Sequence, residues 1–154
     1  LIPMWVSLTV LKSFPENGST LIMLLMLLIW GADTGAYFVG KKWGKRRLAS
    51  RVSPGKTWEG SIGGIVAGIA IVLTYVIVSK EISNHGMALI VLSILTVSIS
   101  IIGDLMESMV KREADIKDSG SILPGHGGVM DRIDSLTAAA PVFVFGVVHL
   151  GIGA

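Results

Sequence analysis

Cysteine is absent from the chain, which excludes disulfide bridges, thiolate zinc sites and cysteine nucleophiles. Histidine is nearly as scarce. His85, His126 and His149 are scattered, and no zinc-ligand spacing links them. Charge is thin as well: 16% of residues are Asp, Glu, Lys or Arg, against about a quarter in a typical soluble domain. The opening stretch Leu1–Leu11 has neither the basic start nor the small-residue cleavage site of a signal peptide. No internal repeat, low-complexity tract or soluble appendage stands out.

What fills the chain instead is apolar. Hydrophobic residues make up 51% of it, and the mean hydropathy is +0.71. A transmembrane helix needs roughly 20 mostly apolar residues to cross about 30 Å of hydrocarbon. Four stretches reach or approach that length: Thr20–Val39, Ser61–Ser79, Met87–Met106 and Leu136–Gly153. They are too long for buried strands, which rarely exceed about ten residues. Gly68, Pro141 and Gly146 fall inside these runs, where neighbouring helices can satisfy freed backbone groups. The expected fold is all-α: a polytopic helical integral membrane protein of about four transmembrane helices, preceded by a truncated N-terminal span at Leu1–Leu11.

The basic residues orient these spans. Lys41, Lys42, Lys45, Arg46, Arg47, Arg51 and Lys56 follow the first full span, and Lys111, Arg112, Lys117 and Arg132 lie between the third and fourth. Two spans separate the two loops, so both emerge on one side of the membrane. Eleven of the thirteen Lys and Arg residues thus share a face, leaving Lys12 and Lys80 on the other. By the positive-inside rule that face is cytoplasmic.

Several acids lie at one depth beside those loops. Asp33 precedes Lys41 by eight residues, about 12 Å of helix, and Asp104 precedes Lys111 by seven, about 10 Å. Asp131 and Asp134 directly precede the last span. Each acid alone could simply pair with a neighbouring base. Four together, at costly positions, point to a polar site. Asp104, Glu107, Ser108 and Lys111 fall at i, i+3, i+4 and i+7, one polar stripe on an apolar helix. Carboxylates at two helix ends suit a hard cation such as magnesium, which takes one or two of them and completes its shell with water and phosphate.

The loops themselves carry phosphate chemistry. Ser53-Pro54-Gly55-Lys56-Thr57 sets two hydroxyls and an ammonium beside glycine backbone. It is not a P-loop, because Ser50 stands where the first glycine of that motif belongs. In Pro124–Arg132, glycines allow close backbone approach to an anion and Arg132 can grip phosphate bidentately. For most of Lys41–Arg51 the ordinary role is contact with anionic lipid headgroups. Lys56 is the ligand candidate among these basic residues. Trp58 and Tyr37 offer a stacking face for a base, or equally a place in the interfacial aromatic belt.

Ser108-Met109-Val110-Lys111-Arg112, Lys117-Asp118, Leu123-Pro124-Gly125-His126-Gly127-Gly128 and Asp131-Arg132-Ile133-Asp134 together closely resemble the defining pattern of the phosphatidate cytidylyltransferases. Trp30–Tyr37 and Ser53–Gly60 resemble the same family. The resemblance implies a membrane enzyme that transfers CMP from CTP to phosphatidic acid, giving CDP-diacylglycerol and pyrophosphate for phospholipid biosynthesis. It implies a magnesium ion with potassium as the second cation, metal ligands at Asp104 and Asp131, and Asp134 as a supporting acid. It also implies a homodimer in a bacterial-type inner membrane, with the active site facing the cytoplasm. Residues 1–154 then form the membrane-embedded catalytic domain, and the family's additional N-terminal spans are expected to precede them. No nucleic-acid partner is expected.

Within that scheme Lys111, Arg112 and Arg132 are expected to hold the lipid phosphate or the triphosphate. Ser53, Lys56 and Thr57 are expected at the nucleotide phosphates. His126, Gly127 and Gly128 form the second phosphate loop, and Asp33 orients a cation or the nucleotide. Three other classes compete: an ion pathway, a CTP-dependent polyprenol kinase, and a purely structural membrane anchor, the last disfavoured by so many acids at costly positions. Acids clustered at one membrane face argue against the pathway, which needs polar groups through the whole bilayer. The kinase differs in its products, releasing CDP rather than pyrophosphate.

Overall fold

Long apolar runs form long helices because, in hydrocarbon, every backbone N–H and C=O must be satisfied within the segment. In the computed structural model, which describes residues 1–50, 52–79, 85–114 and 133–152, the chain orders as follows. Helix α1 spans Ile2–Lys12, α2 Gly18–Trp43, α3 Trp58–Val78, α4 Gly86–Glu113 and α5 Asp134–His149, with strands β1 (Arg47–Ala49) and β2 (Ser53–Thr57) between α2 and α3. Three of these, α2, α3 and α4, are long and apolar enough to cross a membrane; α1 and α5 are shorter apolar helices. The protein is therefore an all-α polytopic membrane protein, with, among the described residues, one short β-hairpin that the apolar pattern did not announce.

The helix ends follow local chemistry. Thr57 caps α3, its Oγ1 accepting the Gly60 N–H at 3.1 Å. At the end of α2 the Gly44 N–H returns to Gly40 O at 2.9 Å before the chain extends away. Lys41 and Lys42 occupy the last turn of α2, and Lys111 and Arg112 that of α4. Cations there complement the negative end of each helix dipole. Pro141 lies inside α5.

Two kinds of packing hold the bundle. Away from the basic loops, Leu21, Leu24, Leu25 and Leu28 of α2 join Val72 of α3, Leu89 and Leu92 of α4 and Phe143 of α5 in one apolar cluster. Toward the loops, α2 and α3 touch through small residues instead. A Cβ on Gly35 would lie 2.7 Å from Ala67 Cβ, and one on Gly63 would lie 2.5 Å from Val39 Cβ. Between membrane helices, where lipid is as apolar as leucine, such close backbone approach supplies the van der Waals contact that holds the pair. The neighbouring pairs are α3 with α4 and α4 with α5, and α1 lies against α5 and α2.

Candidate active site

The hairpin delivers Lys56 to the helices. β1 and β2 run antiparallel, with Arg47 opposite Thr57 and Ala49 opposite Ser53. Thr57 is wedged where α2 and α3 nearly touch: a Cβ on Gly40 or on Gly60 would come within 3.0 Å of its Oγ1. That contact roots the end of β2 between the two helices. From the preceding position the Lys56 ammonium reaches across to Asp104 on α4 and forms an ion pair with its carboxylate. Both side chains are about a quarter exposed, 26% and 27%, so solvent and a ligand can still compete for either charge.

Two cavities meet at Asp104 and Asp33. One, of about 490 Å³, is lined by Tyr37, Lys41, Gly55, Lys56, Thr57 and Ser61, and it includes Asp33 and Asp104. The other, of about 810 Å³, also includes Asp33 and Asp104, and adds Lys111 and Asp134. Its remaining wall is largely apolar, from Met26, Ile29, Trp30, Ile133 and Leu136. The two carboxylates therefore stand in the wall common to a hydroxyl- and lysine-lined chamber and a partly apolar one.

The other expected site residues distribute as follows. Lys111 and Glu107, one turn apart on α4, form an ion pair at 3.2 Å. Asp134 opens α5, its Oδ1 accepting the Ser135 N–H at 2.6 Å. Ser53 sits at the far end of β2 opposite Ala49, and Arg112 is exposed in the last turn of α4. Neither lines either cavity. Asp131, Arg132, His126, Gly127 and Gly128 lie outside the described residues.

Three features of the site escaped the sequence reading. Ser61 lines the first cavity, yet a single serine at the start of an apolar run carries no signal. Lys41, read as a headgroup contact, lines the same cavity, its Nζ 3.4 Å from Tyr37 Oη and 5.5 Å from the ring centre. The spacing i, i+4 on one helix would have disclosed that pair. Glu59 accepts backbone hydrogen bonds from Lys45 and Arg46. The available clue was its place as an acid in the first turn of α3.

Comparison with known proteins accords with this geometry. The model of the cytidylyltransferase family matches residues 1–150. The chain belongs to that family. It is 54% identical over 144 residues to a phosphatidate cytidylyltransferase of Pseudomonas aeruginosa, covering 93% of this chain and 52% of the relative. Against the enzyme of the same name from Haemophilus influenzae it is 50% identical over 134 residues, 85% of this chain and 46% of the relative. Against that of Bacillus subtilis it is 44% identical over 138 residues, 88% and 50%. The chain spans about half the length of the curated relatives it matches.

The carboxylates suit a magnesium ion. Among the described residues no three His, Asp or Glu side chains form a ready-made metal cluster. Magnesium does not need one, because it binds through one or two carboxylates and takes substrate phosphates and water for the rest. Asp33, Asp104 and Asp134 supply hard oxygen donors around one cavity, with Lys111 in the same lining.

Proposed function

We propose that this chain carries the active site of a phosphatidate cytidylyltransferase, transferring CMP from CTP to phosphatidic acid. The observation that carries the reading is the pair of cavities sharing Asp33 and Asp104. Two substrates of opposite solubility need two chambers that open on one reacting centre. The chamber with Lys41, Lys56, Thr57 and Ser61 suits a triphosphate, and the one with Trp30, Ile133 and Leu136 suits the glycerol end of a lipid.

In this scheme a phosphate oxygen of phosphatidic acid attacks the α-phosphorus of CTP in line. A new P–O bond forms as the bond to the β-phosphate oxygen breaks, and pyrophosphate leaves. The attacking oxygen is already anionic, so the protein's task is positioning and charge neutralisation rather than proton removal. Lys56 and Thr57 hold the nucleotide phosphates. Lys111, in the second chamber, meets the lipid phosphate; Arg112, and Arg132 as its motif leads one to expect, would add positive charge for it. Asp104 with Asp131 would hold magnesium, which supplies positive charge to the attacking and leaving oxygens; potassium as second cation, the loop of His126, Gly127 and Gly128 at the phosphates, and a homodimer complete the expectation. The basic face carrying both loops is assigned to the cytoplasm, where CTP is dissolved.

Product analysis tests the reaction. The intact parent protein, given CTP and phosphatidic acid in mixed micelles, should yield CDP-diacylglycerol and pyrophosphate in equal amounts. CDP with a phosphorylated lipid would instead make it a kinase.

A further inference from the structure

The hairpin that carries Lys56 is small, with strands of three and five residues. A lone two-stranded hairpin is marginal in water, so something must close it. The closure is at its base. The Glu59 carboxylate accepts the Lys45 N–H at 3.1 Å through Oε2, and the Arg46 N–H at 3.3 Å and 3.2 Å through Oε1 and Oε2. One peptide further on, the Trp58 N–H donates to Arg46 O at 3.0 Å. The residues that lead into β1 are thereby tied to those that follow β2.

Glu59 is well placed for this. It lies in the first turn of α3, where the positive end of the helix dipole favours a carboxylate. The same turn is fixed against α2, since Gly60 is buried and a Cβ there would meet Ala36 O at 2.9 Å. Gly44 allows the approach from the other side, for a Cβ on it would lie 2.2 Å from Gly40 O and 2.8 Å from Thr57 Oγ1. Glu59 thus bridges a rigid helix end and a basic loop whose own charges repel one another.

We infer that Glu59 is a positioning residue of the nucleotide site, acting through Lys56. Its carboxylate holds the base of the hairpin shut, and so fixes the height at which the Lys56 ammonium meets Asp104 and the incoming phosphates. Glu59 touches neither substrate. The inference rests on the reading that Lys56 binds CTP phosphates, and the test separates the two.

The experiment compares Glu59→Ala, Glu59→Gln, Lys56→Ala and the double variant in the intact full-length protein, with steady-state kinetics for both substrates. Glu59→Ala is expected to raise KM for CTP about tenfold, with kcat within about threefold and KM for phosphatidic acid unchanged. Glu59→Gln, which keeps a carbonyl acceptor, should recover most of that loss. The double variant should be no worse than Lys56→Ala, because coupled residues are non-additive. An unchanged KM for CTP in Glu59→Ala overturns the inference. So does a rise in both KM values together with a lower melting temperature, or a Glu59→Ala effect that persists in full without Lys56. If Lys56→Ala also leaves KM for CTP unchanged, the nucleotide assignment of Lys56 falls and takes the inference with it.

Discussion

The Lys56 ammonium on β2 pairs with the Asp104 carboxylate on α4, 48 residues later in the chain. The pair joins the polar loop to the end of a membrane helix at the wall shared by two cavities. A carboxylate so placed would be costly without a partner, and breaking a half-buried pair costs more than forming it gains. On the proposed reading Lys56 would neutralise Asp104 before substrate binds, and with a magnesium ion held by the carboxylate the ammonium would be left to the phosphates.

Replacing Lys56 tests its half of this relation. A charge-assisted hydrogen bond is worth about 1.5–3 kcal/mol, or about 10- to 100-fold in affinity. Lys56→Ala should raise KM for CTP within that range and move KM for phosphatidic acid by less than about twofold. Equal loss for both substrates would mean that Lys56 only supports the fold.

The metal half is tested without turnover. If Lys56 and a divalent cation compete for Asp104, Lys56→Met should bind Mn2+ several-fold more tightly than the wild type in the absence of nucleotide. Electron paramagnetic resonance of free Mn2+ reads this directly. An unchanged or weaker affinity would remove Asp104 from the competition.

Packing between α2 and α3 makes a structural prediction. Gly63→Leu must force Val39 aside, because even a Cβ there comes within 2.5 Å of the Val39 side chain. Overpacking of this kind costs about 1–3 kcal/mol, and it should lower the melting temperature and distort the first cavity. A Cβ on Gly55 meets nothing within 4 Å. Gly55→Ala should melt as the wild type does, and a matching drop for both variants would contradict the packing account.

These 154 residues hold no cysteine, so a thiol introduced among them reports topology directly once any cysteine elsewhere in the intact protein is replaced. Arg47→Cys and Arg112→Cys should react with an impermeant maleimide only from the cytoplasmic side, and Ser13→Cys only from the opposite one. Labelling of Arg47→Cys and Arg112→Cys from different sides would break the span count itself.

Much of this architecture was legible because the bilayer imposes a length. Thr20–Val39, Ser61–Ser79 and Met87–Met106 each lie almost wholly within an observed helix. Hydropathy marks hydrocarbon rather than helix ends, however, so α2 runs on to Trp43 and α4 to Glu113. In α4 the polar extension is supported by the Glu107–Lys111 pair one turn apart. The last span is shorter than read: α5 ends at His149, after 16 residues.

The placing of acids near one depth was also legible, since residue counts along α2 and α4 fix how far Asp33 and Asp104 sit from the basic ends. The hairpin was not. Pro54 and Gly55 look like turn residues, and the base of the Ser53–Thr57 and Arg47–Ala49 pair is tied by Glu59 to the N–H groups of Lys45 and Arg46, donors that any residue there would carry. Nor could the division into two cavities be read, because it depends on how α2 and α4 bring Asp33 and Asp104 into one shared wall.

The central claim is that nucleotidyl transfer occurs at the carboxylates between the two cavities. Its most direct test is pyrophosphate release from CTP by the intact protein and its Asp104→Asn variant, with and without phosphatidic acid and magnesium. Release from the wild type that requires both additions, and its loss in a variant that still folds and melts normally, is the predicted result. Pyrophosphate release at the wild-type rate from Asp104→Asn would contradict the account.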